Sequence, residues 1–254
     1  MVYDHQNHVG NAGDLWKHLV LTETADWTFR KSDVKLYVES HAGWPQYVLS
    51  PKGEWEDGIN RCWHSLDGLR DFTYFRILET LNPHGLETYP GSASLVMMVA
   101  RSIKCPLKAE LWDMNPQVQR AWSQVKASDV HFRLGDGFLG SSALSSRYCP
   151  AFLLVDPPYI TEEEVKKAED LIYKAVGAGW IVLCWYMNDM KRVPHPSCNY
   201  KTFTLDFRRS GLECGPWTGA TMILAGGDDD LNIWLNLRTE KFLKAISVGT
   251  SESF

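Results

Sequence analysis

The spacing of apolar positions changes along the chain, and each change marks a predicted element. Between residues 14 and 30, Leu15, Leu19 and Trp27 recur at helical intervals with Trp16 and Val20 beside them. The polar opening Asn11-Ala12-Gly13-Asp14 suits the start of a helix there. Residues 34–38 are apolar and β-branched, a strand pattern, and run into the small polar loop Glu39-Ser40-His41-Ala42-Gly43. Residues 53–82 are charged and aromatic, helical in character and without a strand signal. A further helix is predicted from Ser92, read as its N-cap, to Ser102, with Leu95, Val96 and Val99 apolar. The chain then alternates. Strand 107–112 ends in Asp113, helix 116–126 follows, and strand 130–134 ends in Gly135-Asp136-Gly137. Strand 151–155 ends in Asp156-Pro157-Pro158-Tyr159, helix 161–176 opens with three glutamates that suit its dipole, and strand 180–185 comes next. Segments 202–207, 220–224 and 232–236 are predicted as closing strands, with Asp228-Asp229-Asp230 as a turn.

Strands alternating with helices predict an α/β fold: a mostly parallel sheet with helices on both faces. Segments 151–155 and 180–185 are almost wholly apolar, as strands buried on both sides must be. Ligands of such sheets bind at the C-terminal ends of the strands. Those ends carry His41, Asp113, Asp136, Asp156 and Tyr186.

Composition narrows the function classes. The 254 residues hold 26 Lys+Arg and 31 Asp+Glu, a net charge of −5, which excludes a protein that coats nucleic acid by bulk charge and leaves room for a local basic groove. No apolar run reaches the length of a membrane span. The opening Met1-Val2-Tyr3-Asp4-His5 lacks the pattern of a secretory signal, so a cytoplasmic location is expected. The six cysteines form no Cys-x-x-Cys pair, and the histidines show no His-Glu-x-x-His spacing. Neither a disulfide framework nor a bound metal is therefore expected. The short basic clusters Lys191-Arg192, Arg208-Arg209 and Lys241/Lys244 read either as solvated surface or as a phosphate-contacting rim. The 11 tryptophans read as core, with a base-stacking surface as the alternative.

The chemistry concentrates in Asp156-Pro157-Pro158-Tyr159. Two prolines stiffen the loop and remove two backbone donors, so it presents a carboxylate and bare carbonyls. An exocyclic amine, with two N–H groups, is the natural partner of such an acceptor pair. Holding both hydrogens aims the nitrogen lone pair at an electrophile, while Tyr159 offers a flat face to a heterocycle. Cys184, inside a predicted buried strand, is expected to be inert.

That loop resembles the Asp/Asn-Pro-Pro-Tyr motif of amino-methyltransferases that use S-adenosylmethionine. Tyr3-x-His5, then His8-Val9-Gly10-Asn11-x-x-Asp14-x-x-Lys17-His18, resembles the N-terminal signature of the RlmJ-type 23S rRNA adenine-N6 methyltransferases. Ser40-His41-Ala42-Gly43, Gly53-Glu54-Trp55-x-x-Gly58-Ile59, Tyr89-Pro90-Gly91-Ser92, Asp136-Gly137-Phe138 and Trp185-Tyr186 are similar to that family in the same order, over roughly residues 3–186. Asp4 stands where the family commonly carries Arg, Trp44-Pro45 where it carries small residues, and Gly215-Pro216-Trp217 where an Asn-Pro-Pro element is usual.

The resemblance implies a class I methyltransferase domain over residues 1–254, with a Rossmann-like, mostly parallel seven-stranded sheet and a small helical insertion at 47–88. It implies that Lys17 reaches the methionyl carboxylate of the cofactor, and that His18, His41, Gly43 and Ser92 line its pocket. Asp113 takes the ribose hydroxyls, and Asp136 and Gly137 lie by the adenine. Asp156, with Pro157 and Tyr159, is implied as the catalytic group, with Asp156 also counted among the cofactor-binding residues, while Tyr3 and His5 approach the target adenosine. The implied reaction is methyl transfer from S-adenosylmethionine to an adenine N6 in 23S rRNA, leaving S-adenosylhomocysteine. RNA is the expected partner, with no membrane, no metal and a monomeric protein. A DNA adenine methyltransferase, a protein glutamine methyltransferase and a non-catalytic cofactor- or nucleic-acid-binding protein are the alternatives. Asn in place of Asp156 would mark the glutamine enzymes.

Overall fold

The computed structural model describes residues 8–64, 68–147 and 150–249. The helix α1 (Ala12–Lys31) is capped by Asn11, whose side chain accepts the Asp14 N–H at 2.9 Å. The helix is buried along most of its length, so it is a core helix rather than a one-faced surface helix. β1 (Leu36–Glu39) follows. β2 (Gln46–Val48) and β3 (Thr88–Pro90) pair antiparallel as a separate ribbon, which the sequence reading did not foresee. Between them lie a 3-10 turn at Glu54–Glu56, α2 (Ile59–Trp63) and α3 (Thr73–Leu81), short pieces instead of one helical stretch. The intervening Gly58 is the reason this segment docks. A Cβ there would overlap the backbone of Gly10 and Asn11, and Ile59 N–H donates to the Gly10 carbonyl at 2.9 Å.

The alternating half is α4 (Ser92–Ser102), β4 (Lys108–Asp113), α5 (Pro116–Ser123), β5 (Val130–Leu134), α6 (Gly137–Ser145), β6 (Phe152–Val155), α7 (Glu162–Gly177) and β7 (Ile181–Met187). Ser92 is not the N-cap of α4. Gly91 holds that position, and the Ser92 hydroxyl donates instead to Glu39. At α7, Thr161 and Glu164 form a reciprocal capping box beneath the acidic first turn.

β8 (Tyr200–Asp206) and β9 (Gly219–Ala225) close the sheet, but the third predicted closing strand is absent. Residues 232–236 belong to the 21-residue helix α8 (Asp229–Gly249). Asp228 starts that helix, its carboxylate accepting the Leu231 N–H at 2.7 Å, rather than turning between strands. Leu231, Leu235, Phe242 and Ile246 bury one side of α8. Arg238 on the same side bonds Glu23 of α1 at 2.5 Å, pairs with Asp71 and lies 4.2 Å from the Phe72 ring centroid. This ion pair bolts residues 71–72, α1 and α8 together.

The seven strands run β5-β4-β1-β6-β7-β9-β8. The first five in this order are parallel, and β9 is antiparallel to both β7 and β8. This is a class I methyltransferase sheet. β6 is buried at every position, as its apolar run requires. One core cluster holds Leu15, Leu19, Phe75 and Phe242, and a second holds Leu153, Leu171, Ile172 and Trp180. Among the described residues, no helix is long and apolar enough to cross a membrane.

Candidate active site

β1 and β6 are neighbours, and the strand order departs from them in opposite directions. The crevice beyond their C-terminal ends is the topological switch point, where such sheets bind ligands. Glu39 ends β1 and Asp156 follows β6 at this point. α1 passes beside them with Asp14 and Lys17, three residues apart and so on one face. The Lys17 ammonium lies 2.8 Å from Asp14 Oδ1 and 2.8 Å from Asp156 Oδ2, and 5.3 Å from the Trp185 ring centroid. Asp14 Oδ2 also accepts the Gly10 N–H at 3.0 Å. Burial opposes each charge, but the pairing outweighs it. Asp14 is held down at about 2, and the Lys17 ammonium well above the usual lysine value by Asp14 and Asp156.

The loop after β6 makes its turn at Tyr159, whose φ of 50° lies in the left-handed region that aromatic residues seldom occupy. Such backbone strain is typical of functional turns. The Tyr159 hydroxyl sits 3.1 Å from Cys184 Sγ on β7, which anchors the ring. Burial pushes the Cys184 thiol up to about 12, in keeping with an inert side chain. Beyond the turn, Ile160 and Thr161 donate their N–H groups to Glu164, so the loop is fixed to the start of α7.

Glu39 is fully buried. Its carboxyl accepts the Tyr37 hydroxyl at 2.7 Å and the Ser92 hydroxyl. Burial, with Asp156 nearby, pushes it up to about 7 despite the opposing effect of Ser92, Tyr37 and Lys17. Sequence reasoning passed over Glu39, Asp14 and Cys184 as site components. The signals present were an acid ending an apolar strand and an acid one helical turn before Lys17.

The remaining expected residues are placed as follows. His41 Nδ1 is 2.9 Å from Ser40 Oγ, its ring meets Phe138 edge-on at 4.6 Å, and burial lowers its pKa to about 4, so it is neutral at pH 7. The Gly43 carbonyl accepts the Trp122 indole N–H at 2.9 Å. Asp113 ends β4 and accepts the Asn115 N–H at 2.6 Å, and burial pushes it up to about 6 against its backbone donors. Asp136 caps α6, its carboxylate accepting from Phe138 and Leu139. Gly137 touches the β1 loop so closely that a Cβ would overlap the Ser40 carbonyl oxygen, which only glycine avoids. His41, Gly43, Asp113, Asp136 and Gly137 thus share the ends of β1, β4 and β5. Ser92 faces Glu39. His18 is buried beneath the rim, 2.8 Å from the Tyr89 hydroxyl, and its pKa is driven down to about 3 by burial. Tyr3, Asp4 and His5 lie outside the described residues. Among the described residues, no group of three or more His, Cys, Asp or Glu is placed to hold a metal ion.

The family model described as ribosomal RNA large subunit methyltransferase D, RlmJ, matches residues 32–193. Ribosomal RNA large subunit methyltransferase J of Haemophilus influenzae is 31% identical over 188 residues, covering 70% of this chain and 65% of that protein, a little under two thirds of its length. The protein of the same name from Escherichia coli is 28% identical over 211 residues, covering 76% of this chain and 74% of that one. A crystal structure of a Legionella pneumophila protein shares the fold, with a TM-score of 0.79 and 21% identity over 94% of both chains. The Asp-Pro-Pro-Tyr turn, the sheet order and the span of the family match together establish that this chain belongs to the RlmJ family of ribosomal RNA large subunit methyltransferases.

Proposed function

We propose that the protein transfers the methyl group of S-adenosylmethionine to the exocyclic N6 amine of an adenine in 23S rRNA. The observation that carries the reading is Asp156. It stands at the switch point just ahead of two prolines and is held by a buried lysine that Asp14 also grips. Among the described residues, two carboxylates flank this one ammonium, an acidic setting that favours positive charge developing on an amine.

The rim residues fit S-adenosylmethionine by their chemistry. Asp113 offers a half-buried carboxylate suited to two ribose hydroxyls, and the contact of Gly137 with Ser40 keeps the adjoining loops free of side-chain bulk. His41 is neutral beside Phe138 and adds no charge to repel a sulfonium. When bound, the cofactor supplies a methyl group electrophilic enough that no covalent enzyme intermediate is needed. Asp156 and the Pro157 carbonyl accept the two amine hydrogens and point the nitrogen lone pair, and Asp156 then passes a proton to solvent. Alignment of this kind is worth on the order of 7 kcal/mol in favourable cases. A paired adenine leaves its stack at a cost of a few kcal/mol, and stacking on Tyr159, about 1–3 kcal/mol, offsets that. On this reading residues 47–88 form a helical insertion in a single 1–254 domain, and the enzyme works as a metal-free monomer in the cytoplasm.

The test is Asp156→Ala, assayed with labelled cofactor on protein-free 23S rRNA from a host lacking the modification. Transfer is expected to fall by at least 10²–10³, the loss typical of a key electrostatic group, with cofactor affinity by calorimetry within a few-fold. Wild-type turnover by the variant overturns the role of Asp156. Label entering adenine-containing DNA but no RNA overturns the substrate.

A further inference from the structure

The loop between β8 and β9, residues 207–218, emerges on the same rim as Asp156. Met187 at the end of β7 pairs with Ala220, and Asp206 with Gly219. β9 and β8 stand two and three strands from β6, so the loop lies about 10–14 Å from the catalytic turn at the usual strand spacing.

The loop is a built platform. The Phe207 N–H donates to the Thr218 carbonyl at 3.0 Å and closes it. Phe207, Leu212 and Cys214 are buried beneath it. The Cys214 thiol is pushed up to about 12 by burial and lies beside the backbone N–H groups of Ala12 and Gly13, so the loop sits against the first turn of α1, the helix that carries Asp14 and Lys17. Glu213 N–H donates to the Asp57 carbonyl at 3.4 Å, and Asp189 grips Thr218 through its N–H at 2.7 Å and its hydroxyl at 2.9 Å. Arg208, Arg209 and Trp217 face outward from this frame. Trp217, at 38% exposure, is the most exposed tryptophan among the described residues. The Arg209 side chain is 88% exposed, with Asp206 at 3.5 Å. The loop thus presents a part-exposed indole and two solvent-facing guanidinium groups on a frame fixed by its buried residues and hydrogen bonds.

We propose that this loop is the lip that receives the RNA strand. Arg208 and Arg209 bind phosphates of nucleotides flanking the target, and Trp217 stacks on an unpaired neighbouring base. The inference rests on the RNA reading above and assigns the surface that executes it. A chain with a net charge of −5 has no general attraction for a polyanion, so local cations beside the catalytic turn must supply the phosphate contacts.

The experiment uses the full chain and unmodified 23S rRNA. Methyl transfer is measured against RNA concentration, and binding against salt, for wild type, R208A/R209A, Trp217→Ala and Trp217→Phe. The double variant is expected to raise KM for RNA at least tenfold and to lower the slope of log affinity against log salt by about 1.4–1.8, two phosphate contacts' worth. Trp217→Ala raises KM at least fivefold, and Trp217→Phe retains most of the affinity. The kcat at saturating RNA and the cofactor affinity stay at wild-type values in all three variants, and the thermal midpoint does so in R208A/R209A. KM within twofold of wild type in both R208A/R209A and Trp217→Ala overturns the lip while leaving RNA methylation standing. Failure of the wild type to bind or methylate any RNA overturns both.

Discussion

Replacing Glu39 with glutamine isolates one buried ionisation. In the folded protein this carboxyl titrates at about 7, against an ordinary value of 4.5, because burial removes its water. The unfolded chain therefore releases the proton near 4.5 while the folded chain keeps it to about 7. Between those pH values the unfolded state binds fewer protons, so stability falls as pH rises, by up to about 1.4 kcal/mol per unit. Integrated from pH 5 to pH 8, the loss is about 2.5 kcal/mol, and it levels off above that. Glutamine does not titrate; its carbonyl oxygen accepts from one of the Tyr37 and Ser92 hydroxyls, and its amide N–H donates to the other, which turns to accept. Urea denaturation of wild type and Glu39→Gln at several pH values from 5 to 9 gives the difference curve. Other titrating groups cancel in it, and any misfit of the amide adds only a constant offset. The variant should gain about 2.5 kcal/mol relative to wild type between pH 5 and 8. Parallel stability curves would refute the claim that Glu39 stays protonated in the fold.

Asp113 titrates at about 6, and if its carboxylate takes the ribose hydroxyls, cofactor affinity should be about tenfold weaker at pH 5 than above pH 7. Calorimetry should find this dependence in wild type and a flatter profile in Asp113→Asn; the same profile in both removes Asp113 from the binding site. Cys184→Ala deprives the Tyr159 hydroxyl of its 3.1 Å partner, and should raise KM for RNA several-fold while leaving cofactor affinity unchanged. A double-mutant cycle with Tyr159→Phe should give a coupling of about 1 kcal/mol in stability, and strict additivity would show that the contact does not anchor the ring.

What the sequence discloses about this site follows from how local each cause is. β6 is legible because four buried residues in a row must be apolar whatever surrounds them, and the Asp156 turn is legible because its two prolines act on their own backbone. The closing helix is not legible in the same way. Residues 232–236 show no period in a five-residue window, and the burial repeat of α8 appears only across Leu231, Leu235, Arg238, Phe242 and Ile246. One member of that repeat is an arginine, which reads as surface until Glu23 and Asp71 are known to meet it. Ser92 has the residue type of a cap, yet its hydroxyl turns to Glu39, a buried acceptor 53 positions away. Likewise the Lys17–Asp156 pair joins residues 139 apart, and only the sheet order brings α1 beside the end of β6. Residue types at strand ends therefore reveal the class of chemistry. The charge balance that tunes it, Asp14 with Lys17 and Asp156 and Glu39 held near 7, arises from burial shared among α1, α4, β1 and β6, and it becomes readable only when those elements are in place.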